Sequence, residues 1–124
     1  MVKVLGIGGL FFRSKDPAAL AAWYQTHLEI APAPKDMTMQ PWVSETGVTV
    51  FSPFDEATDY FAKDRTFMLN FRVANLEAAL TELNAAGIES GEVSSMEGVG
   101  HFARIHDPEG NPIELWEPSQ PAED

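Results

Sequence analysis

Apolar and polar positions along the chain fall into a strand-then-helix pattern that occurs twice. Residues 4–12 form an apolar run ending in Arg13-Ser14-Lys15, after which Asp16-Pro17 supplies an N-cap oxygen and a first-turn proline. The helix that follows carries Leu20, Tyr24 and Leu28 at i, i+4 and i+8, with Ala21 alongside, the spacing of one buried face. Pro32 and Pro34 break its continuation. Residues 67–73 repeat the strand. Asn75 then caps a second helix with Leu76, Ala79, Leu80 and Leu83 on one face, and Gly87 stops it. Phe12-Arg13 aligns with Phe71-Arg72 and Asp16 with Asn75, an offset of 59 in both cases, so the two halves read as copies of one unit.

Strand-like segments follow each helix: Trp42-Val43 and residues 47–51 in the first half, and about 88–93, 100–106 and 112–116 in the second. Residues 52–64 are polar and acidic with Pro53, and read as a connecting loop. These elements predict an α+β fold in one domain over residues 1–118. Its modules cover about 1–53 and 66–118, joined by loop 54–65, with a flexible tail at 119–124.

Period-two alternation sorts the strand residues into two sets that agree between strands. Val48, Val50, Leu69, Phe71, Val73, Ala103, Ile105, Ile113 and Leu115 form an aliphatic face suited to lie under two helices. Thr49, Phe51, Met68, Asn70, Arg72, Phe102, Arg104, His106, Glu114 and Trp116 form the other. Phe51, Phe102 and Trp116 are more aromatic surface than a solvated sheet face usually carries, which points to a ligand-lined cavity. Asp107-Pro108-Glu109-Gly110-Asn111 joins a turn-starting Asp-Pro to Gly and Asn, which tolerate positive φ, and predicts a hairpin. With those five as the loop, His106 faces Pro112, Arg104 faces Glu114 and Phe102 faces Trp116. A guanidinium and a carboxylate are then set opposite each other mid-face.

Composition narrows the function. Eight Lys and Arg against 19 Asp and Glu give a net charge of −11, with no basic run, which disfavours nucleic acid and anionic membrane as partners. The absence of cysteine excludes disulfides, thiolate metal sites and cysteine nucleophiles. The apolar run 4–12 is too short to span a bilayer, and a cytoplasmic location is expected. Gly6, Gly8 and Gly9 precede no phosphate-cradling lysine motif, no Gly-x-Ser-x-Gly elbow occurs, and Asp55, Glu56 and Asp59 lack the glycine and distal glutamate of a calcium loop.

Three motifs carry a family likeness. They are Ser14-Lys15-Asp16-Pro17 with Trp23-Tyr24 and His27-Leu28, then Phe71-Arg72-Val73-Ala74-Asn75-Leu76, and most specifically the run from Phe102-Ala103-Arg104 through Asp107-Pro108-Glu109-Gly110-Asn111 to Glu114-Leu115-Trp116. On these the chain resembles the vicinal oxygen chelate superfamily, which includes glyoxalase I, extradiol dioxygenases and bleomycin-resistance proteins. The resemblance implies two βαβββ modules whose eight strands curve into an open barrel, and assembly as a homodimer. In enzymes of the superfamily a divalent metal in the cleft polarises two neighbouring substrate oxygens, held by imidazole and carboxylate donors. Carried over position by position, the first-module ligands fall on Gly9 and Thr49 and the second-module ligands on Met68 and Glu114. Only Glu114 is a good donor.

The expected function is therefore binding of a small organic molecule without the metal centre. Phe51, Thr49, Met68, Asn70, Phe102, Arg104 and Trp116 would line the site, Arg104 anchoring an anionic or carbonyl group unless Glu114 neutralises it. Loops near Trp42 and Tyr60-Phe61 would cover the mouth. The alternative is a metal-dependent lyase, isomerase or dioxygenase using Glu114 and His106, the two candidate catalytic residues, with a divalent ion as cofactor; a second alternative is a dimeric interaction module without a small ligand. His106 otherwise hydrogen-bonds the Asp107 loop, His101 is an edge residue, and His27 suits the negative end of the first helix.

Overall fold

The computed structural model describes residues 1–119 and contains α1 (Pro17–Leu28), β1 (Leu69–Arg72), α2 (Leu76–Ala85), β2 (Ser94–Met96), β3 (Gly100–His106) and β4 (Pro112–Pro118). Asp16 starts α1 by accepting from the Ala19 amide at 3.1 Å, with Pro17 behind it. The helix ends at Glu29, held at φ 55° in the left-handed region. Asn75 starts α2 in the same way, accepting from the Ala78 amide at 3.0 Å. Its end is a Schellman motif: the Ile88 amide reaches the Leu83 carbonyl and the Gly87 amide the Asn84 carbonyl, both at 3.0 Å, with Gly87 at φ +85°.

The four strands form one mixed sheet in the order β1-β4-β3-β2, with β1 parallel to β4 and the other pairs antiparallel. Turn chemistry at Asp107 to Asn111 sets the β3–β4 register, in which His106 faces Pro112, Arg104 faces Glu114 and Phe102 faces Trp116. Both helices cover the aliphatic face: Leu20 and Tyr24 of α1 and Leu76, Leu80 and Leu83 of α2 share one core with Leu69, Ala103, Ile105, Ile113 and Leu115. Each large aliphatic side chain buried there contributes about 1.5–3 kcal/mol. Phe12 reaches the rim of this core against Phe67, with ring centroids 5.5 Å apart.

The first half departs from its reading. No strand forms at 4–12, at Trp42-Val43 or at 47–51, so an eight-stranded barrel is not built within the described residues. A strand exists only as part of a ladder, and these segments pair with nothing; Leu5, Phe11 and Phe51 are left 94, 92 and 86 % exposed. In the second half the strand expected over 88–93 is displaced to Ser94–Met96. Ile88 is committed to the cap of α2, and from 88–93 the Gly91 amide alone reaches β3, bonding the Arg104 carbonyl at 2.9 Å. Of the expected tail, the Ser119 amide is fastened to the Val99 carbonyl at 3.0 Å, and 120–124 lie outside the described residues. Among the described residues no helix is long and apolar enough to cross a membrane.

Candidate functional site

The hairpin motif is a clasp. Asp107 is buried and accepts from the Glu109 and Asn111 amides at 2.9 and 3.0 Å, from the Asn111 side chain at 2.8 Å and from the Tyr24 hydroxyl at 2.6 Å. Glu109 turns outward to accept from Lys15 N at 2.8 Å, Ser14 Oγ at 2.7 Å and Asp16 N at 3.1 Å, at the start of α1. Arg65 donates to the Glu109 carbonyl at 2.8 Å and to Asn111 Oδ1 at 3.2 Å. Burial first, and then the bond to Asp107, push the Tyr24 phenol well above its ordinary range. The amide of Lys15, followed by Ser14 and Asp16, holds the Glu109 carboxyl below the usual carboxylate range. The most specific motif of the chain thus fastens α1 to the sheet.

The other face of the sheet carries the candidate site. Phe102 and Trp116 stack with centroids 6.0 Å apart and planes 5° from parallel. The Trp116 indole donates to the Val99 carbonyl at 2.9 Å, close over Gly100, where a Cβ would lie 2.1 Å from the Glu117 carbonyl oxygen. Beside this pair Glu114 is 7 % exposed. Asn70, its neighbour across the β1–β4 ladder, donates to Glu114 Oε1 at 2.8 Å, and the Tyr60 hydroxyl donates to Oε2.

The expected pairing of Arg104 with Glu114 is replaced. The two are ladder partners, but Arg104 Nη2 donates to the Tyr60 carbonyl at 3.1 Å and the guanidinium carbon lies 5.1 Å from the Tyr60 ring centroid. Arg104 Nε is buried without a partner. Burial and the carboxylate of Glu114 raise the Tyr60 phenol, while Arg104 pulls the other way. Tyr60 also meets Phe54 edge-on at 5.6 Å. Its partnership with Glu114 was not legible in advance; the aromatics Phe54, Tyr60 and Phe61 inside an acidic connector were the available signal.

The remaining expected site residues separate into two groups. Asn70, Phe102, Arg104, Glu114 and Trp116 share this face, and Met68 is half-buried just before β1. Thr49 and Phe51 are exposed and unpaired, because the segment meant to carry them forms no strand. His106 is exposed at the end of β3, beside Ile88 and Pro108 in a shallow depression of about 350 Å³. Asp107 takes its donors from Tyr24, Glu109 and Asn111, so the bond expected from His106 is replaced. His101 meets Ser95 Oγ at 2.6 Å on the β2 edge, and His27 lies 5.4 Å from the Trp23 ring at the end of α1. Trp42 meets Phe71 edge-on at 6.5 Å, and Arg72 donates to the Glu45 carbonyl at 2.8 Å.

A divalent ion does not fit the inherited positions. Gly9 has no side chain, Thr49 is exposed, Met68 offers a thioether, and both oxygens of Glu114 already accept from neutral donors. Among the described residues no group of three or more His, Asp or Glu side chains could hold a metal.

A strand, a helix and three further strands, closed by an Asp-Pro-Glu-Gly-Asn hairpin over a polar and aromatic sheet face, define a βαβββ module of the vicinal oxygen chelate superfamily. The glyoxalase-like domain family matches residues 9–116, and the chain belongs to it. Among solved structures, an antibiotic binding protein from Streptomyces sp. CB03234 is 27% identical over 44% of this chain and 45% of that one, with a TM-score of 0.41. A glyoxalase family protein from Enterococcus faecalis is 28% identical over 52% of each chain, again with a TM-score of 0.41. Each of these matches spans about half the length of the relative. A conserved domain protein, 11% identical, covers 93% of this chain and 100% of its own at a TM-score of 0.58, which speaks for the fold alone. No curated protein matches significantly.

Proposed function

We propose that this protein binds a small organic molecule on the sheet face around Glu114 and Trp116, without the superfamily's metal centre. The observation that carries the reading is the stacked Phe102–Trp116 pair beside a buried carboxylate whose hydrogen bonds come from Tyr60 and Asn70. An apolar wall with a few fixed polar groups is the composition of a ligand site. The metal-dependent alternative rests on Glu114 and His106, and a hard or borderline ion needs further donors that the neighbouring positions lack. A melting scan of tag-free protein with Ni, Zn, Mn and Fe(II) tests this: a flat response is expected. A clear rise that disappears in Glu114→Ala would establish the metal enzyme instead.

The same reading includes a second copy of the chain. Val4, Leu5, Ile7, Phe11, Val48, Val50 and Phe51 stand in solvent, more apolar surface than a monomer ordinarily leaves. Pairing of the 4–12 and 47–51 segments with another protomer would add strands to the four of the sheet and bring Thr49 and Phe51 to the cleft. Sedimentation at micromolar concentration is expected to give a dimer of the 13.6 kDa chain, dissociated by the double change Val48→Lys and Val50→Lys. A monomer would remove this part of the reading and leave Phe102 and Trp116 as the whole aromatic wall.

A further inference from the structure

Tyr60 belongs to the connector between the halves, yet its phenol lies on the sheet face. Its hydroxyl donates to Glu114 Oε2, its ring faces the Arg104 guanidinium and its edge meets Phe54. The partners below it are fixed: Glu114 and Arg104 are ladder residues of the central strands, and Asn70 is one of β1. Tyr60 itself is 47 % exposed; its carbonyl accepts from Arg104 Nη2 at 3.1 Å, and the residues just before it make a short-range turn, Thr58 N to the Asp55 carbonyl at 2.9 Å. An aromatic alcohol from a half-exposed connector residue thus occupies a seat whose walls are ladder residues.

The seat states what it accepts. A buried carboxylate that loses the Tyr60 hydroxyl keeps only Asn70 and needs another O–H or N–H donor, since an unsatisfied buried charge is costly. Arg104 favours the face of an aromatic ring, as it does with Tyr60. A carboxylate ligand would meet the charge of Glu114, and an aromatic without a hydroxyl would leave Oε2 bare. We propose that the small molecule bound on this face is a neutral hydroxyaromatic compound that displaces Tyr60, donating its hydroxyl to Glu114 and stacking its ring on Arg104. The inference rests on the small-molecule reading above and adds the ligand class and the group displaced.

Phenol, its methyl ether anisole, and benzoate distinguish the possibilities, titrated into wild type, Tyr60→Ala and Tyr60→Phe, with the Trp116 indole N–H resonance as readout. Tyr60→Ala empties the seat and is expected to bind phenol about tenfold more tightly than wild type, with anisole and benzoate at least about tenfold weaker than phenol. Tyr60→Phe, which keeps the ring but gives up the hydroxyl, is expected to fall between the two and serves as the folded control. If phenol and anisole bind alike, or benzoate binds best, the hydroxyaromatic assignment falls while small-molecule binding stands. Equal phenol affinity in wild type and both variants removes the displacement of Tyr60. No shift of Trp116 with any of the three probes in any variant removes the inference and the face as a ligand site together.

Discussion

Replacing Tyr24 by Phe takes one oxygen out of the clasp while leaving the ring in the core. The hydroxyl donates at 2.6 Å to the buried carboxylate of Asp107, and a hydrogen bond to a charged, buried acceptor contributes about 1.5–3 kcal/mol. Three other donors to Asp107 remain, so a loss of about 2 kcal/mol at neutral pH is expected, or a midpoint roughly 8 °C lower for a domain of this size. The pH dependence gives an independent check, because the folded phenol is raised above the ordinary tyrosine value of about 10. Below that pH both folded and unfolded chains hold the proton, and the contribution is intact. Above it the unfolded chain releases the proton while the folded chain keeps it. Stability therefore falls with rising pH, by up to about 1.4 kcal/mol per pH unit. Tyr24→Phe lacks this alkaline decline, so the gap between variant and wild type narrows above about pH 10. Urea unfolding followed by circular dichroism at neutral and alkaline pH measures both effects. A neutral-pH loss under about 0.5 kcal/mol, or parallel curves for the two proteins at alkaline pH, would refute the account of the clasp.

Glu29→Gly should stabilise the protein by about 1 kcal/mol, since glycine adopts the φ of 55° at the end of α1 without the penalty of a side chain; an unchanged urea midpoint would count against that conformation. Glu109 has a folded value held below the usual carboxylate range, so its contribution is present above about pH 4.3 and is lost as pH falls through the folded value. Glu109→Gln is accordingly expected to flatten the acid limb of a melting-temperature profile, and an acid limb as steep as that of wild type would show that its contacts to Ser14, Lys15 and Asp16 do not matter for stability.

The second half of the fold was legible because its determinants are local. Alternation along β3 and β4 and the chemistry of one five-residue turn suffice to set Phe102 against Trp116 and Arg104 against Glu114. The first half carries the same alternation in 47–51, but a strand also requires a neighbour to bond, and that neighbour is not encoded in the segment. The site shows the same division. Which residues share the Glu114 face followed from parity and register. Which of them touch did not: Tyr60 is 54 positions from Glu114, and its arrival redirects Arg104 from the carboxylate to an aromatic ring.

The core partners of α1 have a consequence for biosynthesis. Leu20 and Tyr24 share their core with Ile105, Ile113 and Leu115, and Tyr24 donates to Asp107, all of which are made some 80 to 95 residues after them. α1 must therefore wait with this part of its core unmade, and its contact with Asp107 forms only once the β3–β4 hairpin has been synthesised. That interval is when a nascent chain is most exposed to aggregation and to chaperones, so for this domain the vulnerable stage of folding comes before β4 exists.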